Sequence, residues 1–199
     1  MAFNIENFRA RTLPEGGARP ALFEVIIPGW PGSSPQAEQD FRFHCRTTSL
    51  PASSIAPVNV PYFGREMKVA GDRTYMDWNV SVLHDETYNV RNSMEAWHTG
   101  LNQHIENLPS QGVTSSPSSY KKDAIVIHYG REGLEIARYT MVGIFPLNIS
   151  QMALDWEAKS QVMQFDVDFS IDYWLPFDEN GAGDSNVAVV NEGGRNTSL

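Results

Sequence analysis

Cysteine is almost missing from this chain. Cys45 is the only one, so no disulfide can close within the sequence. Its setting, Phe41-Arg-Phe-His-Cys-Arg46, suits a small buried hydrophobe. Long apolar runs are missing too: nothing approaches the roughly 18 consecutive apolar residues of a membrane-spanning helix. Residues 1–20 hold no apolar stretch behind a basic start, so no secretory signal is visible. The expectation is a soluble chain made in a reducing compartment, without a membrane anchor. In that setting the Asn-x-Ser sequons at Asn79, Asn148 and Asn196 carry little meaning.

Basic side chains are scarce, 15 against 24 acidic ones, for a formal charge of −9. Such a surface does not grip phosphates, because Lys and Arg supply most of that affinity. It suits a surface that nucleic acid slides past, since like charges repel.

The residue patterns of catalysis are also lacking. Histidines 44, 84, 98, 104 and 128 form no His-x-x-x-His pair and have no cysteine at zinc spacing. There is no Gly-x-Ser-x-Gly elbow and no phosphate loop. Gly181-x-Gly183 lacks the third glycine and a preceding strand, which rejects a dinucleotide fingerprint. Asp166, Asp168 and Asp172 could hold calcium only with ligands from elsewhere, because alternate carboxylates on a strand stand ~7 Å apart. Asp85 and Glu86 resemble an acid/base pair, but favourable charge at a helix amino terminus accounts for them better. The expectation is a protein that is not an enzyme, with no catalytic residue, cofactor or metal.

What is present is strand pattern. A chain of 199 residues fits one domain with appendages, and 41% apolar content with five Trp supports a real core. Residues 22–27 form a compact apolar run, stopped by Pro28-Gly29-Trp30-Pro31-Gly32. Residues 40–46 alternate Phe41, Phe43 and Cys45 against Arg42, His44 and Arg46, which predicts a strand. Val58, Val60 and Tyr62 share a face, and Phe63-Gly64 can turn the chain into residues 65–69, a hairpin with a protruding tip. Gly71 predicts a turn after it. Further strands are expected from Met76, Trp78, Val80 and Val82, and over 124–129, 135–142 and 149–156. A long final strand over 162–174 puts Met163, Phe165, Val167, Phe169, Ile171 and Tyr173 on one face. Gln164, Asp166, Asp168, Ser170 and Asp172 lie on the other, a polar and acidic wall.

One helix interrupts the strands, with Val90, Met94, Trp97, Leu101, Ile105 and Leu108 as its apolar stripe. Asp85 or Thr87 is the expected cap, Pro109 the stop, and Gly100 a site of close packing or local weakness. Residues 110–119 read as a loop rich in Ser, Pro and Gly. Residues 175–199 carry four Gly and Asp178, Glu179, Asp184 and Glu192 against Arg195, which reads as a flexible extension with at best an edge strand over 187–190. The expected fold class is mainly β, a sandwich or barrel of antiparallel strands with one packed helix.

Ordered blocks along the chain resemble the tail tube proteins of T4-like contractile-tailed bacteriophages. They are Ala18-Arg-Pro-Ala-Leu-Phe-Glu-Val25 leading to Phe43-His-Cys-Arg-Thr-Thr-Ser-Leu-Pro-Ala52, then Val69-Ala-Gly-Asp-Arg-Thr-Tyr-Met-Asp-Trp78 with Asp85-Glu86. Tyr120-Lys-Lys-Asp-Ala-Ile-Val126 follows, then Gly143-Ile-Phe-Pro146, Leu154-Asp-Trp156 and Ile171-Asp-Tyr-Trp174. Departures from the family pattern are a Pro/Gly/Ser insert near residues 30–39 and the extension past Trp174. The resemblance implies an amino-terminal arm over 1–17, a tube domain over 18–174 and an extension over 175–199. It implies homo-hexameric rings stacked into a hollow tube, a sheath around the tube, a baseplate initiator, a tape-measure protein and a tail terminator. Viral DNA would pass through the bore without specific binding. The setting would be the virion, with synthesis in the bacterial host cytoplasm.

From this resemblance, Asp166, Asp168 and Asp172 are expected to face the lumen, and Arg65, Lys68, Asp72 and Arg73 to make subunit or ring contacts. Alternatives stay open: the tube of a contractile injection or type VI-like secretion apparatus, a baseplate tube initiator, or a monomeric carbohydrate-binding β-sandwich. The last needs an exposed aromatic platform, and every Trp except Trp30 has a place in a periodic core pattern.

Overall fold

The computed structural model describes residues 17–110, 116–159 and 161–177. The arm before residue 17, the expected strand over 187–190 and the glycine pair at 181 and 183 lie outside the described residues. In chain order the elements are β1 (Phe23–Ile26), α1 (Pro35–His44), β2 (Cys45–Thr48), β3 (Ser53–Tyr62), β4 (Arg65–Tyr75), β5 (Trp78–Leu83) and α2 (Asn89–Leu101). They continue with α3 (Pro117–Tyr120), β6 (Lys122–Tyr129), β7 (Glu135–Ile149), β8 (Gln164–Ser170) and β9 (Tyr173–Phe177). All strand pairings are antiparallel. Seven strands form one sheet in the order β1-β6-β7-β8-β5-β2, with β9 also on β7, while β3 and β4 form a separate two-stranded ribbon. The mainly-β class with a packed helix is what the sequence leads one to expect.

The sheet folds over because β7 serves two partners along one edge. Arg138 to Val142 pairs with β9, whereas Phe145 to Ile149 pairs with β8. Between them Gly143 adopts φ +71, and a side chain there would overlap the Asp172 carboxylate. The Gly143 amide donates to Asp123 Oδ1 (3.0 Å), and the Asp172 amide donates to the Val142 carbonyl (3.0 Å). The single long strand expected over 162–174 is therefore two strands with a break at Ile171 and Asp172.

Both folded halves bury their apolar rows against the helices. Val25 and Ile27, Trp78, Val80 and Val82, Val126, Met141, Ile144, and Phe165, Val167 and Phe169 meet Val90, Met94 and Trp97 of α2. Trp97 stacks on Trp30 at 6.5 Å between centroids and lies 6.1 Å from Phe169, and its indole N–H donates to the Tyr120 carbonyl (3.0 Å). A buried indole N–H usually finds such an acceptor, and Trp97 has one where, among the described residues, the buried Trp30 N–H does not. Trp30 also meets Phe41 of α1 edge-on at 5.8 Å.

Four local expectations are corrected. Of residues 40–46 only Cys45 and Arg46 are strand, as the start of β2: α1 takes Pro35–His44, capped by Ser34, whose hydroxyl accepts from the Ala37 amide (3.1 Å). Ser at the cap with Pro in the first turn is a helix-start signal that outweighs a short alternation. Phe41 is buried while Phe43 is 78% exposed, as helical spacing requires.

The main helix ends at Leu101, not at Pro109. Gln103 and Leu108 close a turn through a 3.0 Å backbone bond, Asn107 takes φ 54, and Ile105 is left exposed. Nor do Asp85 and Thr87 cap it; Tyr88 holds the cap position in a left-handed conformation, and the Thr87 hydroxyl donates to Asp85 instead. That bond holds the Asp85 carboxyl below its usual value. Finally, β7 runs unbroken to Ile149, and the expected strand over 149–156 is a loop.

Candidate functional site

No group of three or more metal-ligating side chains comes together among the described residues. The surfaces that stand out are a bare hairpin and a polar sheet face.

The β3–β4 hairpin is long, and every residue of β3 is exposed. Phe63 (φ 43) and Gly64 (φ 78) form its turn, both left-handed, matching the twist of a two-residue hairpin loop. Register places Val58 opposite Val69, Val60 opposite Met67, and Tyr62 opposite Arg65. One face is thus an apolar row ending in Arg65, while Asn59, Lys68, Pro61 and Glu66 lie on the other by alternation. Val58, Val60, Tyr62, Phe63, Met67 and Val69 are all exposed, Phe63 at 91%.

Gly71 is not a turn but lies inside β4. A Cβ there would come 2.5 Å from the Ala56 carbonyl oxygen, beside the bulge between Ile55 and Pro57. An isolated two-stranded ribbon is marginal in water, and its apolar row makes this one a surface built to be covered. The expected contact residues Arg65, Lys68, Asp72 and Arg73 all sit on β4 and are exposed, and none joins an ion pair among the described residues.

The polar face of the sheet is organised differently. Asp166 accepts from the Ser81 hydroxyl, and Asp168 accepts from Asn79 Nδ2 (2.6 Å) and Asn148 Nδ2 (3.0 Å). Neutral donors hold both carboxylates in place without cancelling their charge. Asp172 stands apart from this row, past the strand break. Lys121 Nζ lies 2.6 and 2.7 Å from its two oxygens and neutralises it. The row of three is thus a pair and an outlier, because the break at Ile171 resets which way the next side chain points.

Tryptophan exposure also reverses the sequence expectation. Trp30 is buried beside Trp97, whereas Trp156 is 103% exposed and Leu154 80% exposed in the loop after β7. The alternation read over 149–156 does not become a strand, and both residues lie in irregular segments, where packing of distant segments decides exposure. Cys45 is packed against the core, and burial pushes its thiol pKa up to about 12, in keeping with an inert hydrophobe.

A folded sheet with a completed core and an uncovered apolar ribbon is the form of a structural subunit that finishes its packing in an assembly. The chain belongs to the phage tail tube protein family, whose model matches residues 18–176. It is 34% identical over 159 residues to the tail tube protein gp19 of Enterobacteria phage T4, covering 79% of this chain and 90% of that one. A tail tube protein of Serratia phage KSP90 is 26% identical over 82% of this chain and 92% of its own. In fold, it is similar to a chain of the sheath/tube terminator of the PVC extracellular contractile injection system, with TM-score 0.59 and 11% identity over 81% of this chain and 97% of that one. A chain of the anti-feeding prophage baseplate gives TM-score 0.57 at 10% identity, over 81% and 95%. The protein is a structural tail tube protein of the contractile phage type, not an enzyme. Phage tail tube proteins are virion components.

Proposed function

We propose that six copies of this chain close into a ring, and that rings stack into the hollow tube through which viral DNA leaves the particle. The uncovered hairpin carries this reading. Its apolar row costs free energy in water and is repaid only when a neighbouring subunit covers it. Strand edges at β1 and β2 add to the argument, because closing strands around a ring removes edges that otherwise pair indiscriminately. Ring-on-ring stacking is a heterologous contact that does not close, so it grows a filament.

Asp166 and Asp168, fixed by amide and hydroxyl donors, then face the bore. Their charge keeps DNA phosphates from sticking as the genome passes. Arg65, Lys68, Asp72 and Arg73 belong to contacts between subunits or rings, together with the apolar row beside them. The sheath, the baseplate initiator, the tape-measure protein and the tail terminator are the partners of such a tube, which assembles in the host cytoplasm. Residues 18–174 form the tube domain, with an arm before it and an extension after it.

Cryo-electron microscopy of purified particles tests this directly. A six-fold stacked tube inside a sheath, with this sequence in the density and the Asp166 and Asp168 face toward the bore, is the expected result. Density for the chain only at one end of the tube would make it an initiator. Two variants sharpen the test. Asp166→Lys with Asp168→Lys should leave rings intact but slow ejection, and normal ejection would reject the bore assignment. Arg73→Glu should leave a folded monomer that no longer polymerises, and unchanged tube yield would count against the contact assignment.

A further inference from the structure

The loop after β7 presents its apolar side chains in an ordered way, yet nothing covers them. Asp155 Oδ1 accepts from the Glu157 amide (2.9 Å), and the Asp155 carbonyl accepts from the Ala158 amide (3.3 Å). These bonds form a turn with Trp156 at its apex, 103% exposed, and Leu154 beside it, 80% exposed. Carboxylates flank the indole on both sides, at Asp155 and Glu157. A turn that is hydrogen-bonded within itself yet projects a whole indole into water has the form of an anchor, the type of residue that dominates protein interfaces.

The hairpin has the complementary character. Its apolar row of Val58, Val60, Met67 and Val69 is flat, exposed and bounded at the tip by Tyr62 and Arg65. Although the whole chain is acidic at −9, the hairpin carries Arg65, Lys68 and Arg73 against Glu66 and Asp72. By register Lys68, Glu66 and Arg73 (opposite Ile55) lie on the face away from the apolar row, which leaves Arg65 as the charge on the apolar face. A protruding Trp between two carboxylates fits an exposed apolar strip that ends at the Arg65 guanidinium, in both polarity and charge. The exposed apolar loop around Ile105 and Leu108 has neither an aromatic nor a flanking carboxylate pair, and Leu134 in the turn between β6 and β7 offers no aromatic anchor.

We propose that the Leu154–Trp156 turn of one copy docks on the apolar face of the β3–β4 hairpin of a second copy. The inference rests on the assembly reading above and names the partner of the hairpin face. The two surfaces differ, so each copy keeps one free after the other is used, and the contact propagates head to tail.

The test places the photoreactive residue p-benzoylphenylalanine at position 156 of the full chain, which keeps an aromatic ring there. Tubes are illuminated and the cross-linked peptides mapped. Cross-links to residues 53–75 of another copy are expected. Tubes whose cross-links fall elsewhere overturn the docking but leave the tube reading standing. If the unaltered chain makes no tubes under any assembly condition and is missing from particle tubes, both fall. Should the altered ring itself block assembly, charge exchange decides. Glu157→Arg, which leaves the Asp155 turn bonds in place, should lower tube yield about tenfold, the equivalent of ~1.4 kcal/mol. Adding Arg65→Glu should restore most of it, and no recovery overturns the proposal.

Discussion

Substituting Gly71 by Ala should separate folding from assembly. The added Cβ would come 2.5 Å from the Ala56 carbonyl oxygen and 2.9 Å from Val58 Cγ2. Backbone oxygen does not yield as a flexible side chain would, so β3 and β4 must move apart at the bulge by about 0.5 Å or more. Losing about two flanking ladder bonds at roughly 0.5–1.5 kcal/mol each sets a local cost of about 1–3 kcal/mol. The core does not feel this cost. All of β3 is exposed, and the hairpin meets the cluster built on Trp97, Phe169 and Val80 only through Tyr75 at the far end of β4, four residues from Gly71. An element with so little burial opens locally well before the domain unfolds.

Urea unfolding of the monomer, followed by the fluorescence of its buried tryptophans, should therefore shift by less than about 0.5 kcal/mol. Each hairpin contact in a tube should weaken by a factor of roughly 5 to 150, the equivalent of the same 1–3 kcal/mol. Sedimentation of assembled material reads that loss. A monomer destabilised by more than about 1 kcal/mol with tube yield unchanged would refute the reasoning. It would mean that the hairpin belongs to the core and not to the interface.

Trp97→Ala should have the opposite profile. It removes a fully buried ring packed between Trp30 and Phe169 and leaves the Tyr120 carbonyl without its donor, so the monomer should lose about 3–5 kcal/mol in denaturant titration. Ser34→Ala deletes the α1 cap and should cost about 1 kcal/mol by the same measurement, because the Ala37 amide loses its acceptor. The Cys45 thiol should resist an aromatic disulfide reagent at pH 8 in the native protein and react at once in urea. The same burial predicts a pH dependence. The folded pKa, about 12, lies above the ordinary 9.0, so the Cys45 contribution to stability is complete below pH 9 and declines as pH rises toward 12. Cys45→Ala should flatten that decline in unfolding midpoints measured across the range.

Local periodicity was enough to place the strands whose two faces meet different media. Trp78, Val80 and Val82 alternate with polar neighbours because one side of β5 is core and the other is water, and β8 behaves alike. The hairpin was legible for the same reason, with Phe63-Gly64 as its turn. Charge and the lack of catalytic patterns pointed away from enzymes, and ordered family blocks pointed to the tube.

Tertiary packing decided what a window of a few residues cannot contain. Residues 40–46 alternate like a strand, yet the Ser34 cap and the burial of Phe41 against Trp30 make 40–44 the end of a helix and leave only Cys45 and Arg46 to β2. Asp172 leaves the acidic row because Gly143, 29 positions earlier, opens room for a break and Lys121 stands ready to pair with it. Trp30 and Trp156 exchange their expected environments for a related reason: burial is set by what folds over a side chain, and neither residue lies in a regular element. Sequence by itself determined which surfaces each strand would present. Only the three-dimensional arrangement determined which of them the chain covers for itself and which, like the hairpin, it leaves for another copy, because covering is a property of distant segments brought together.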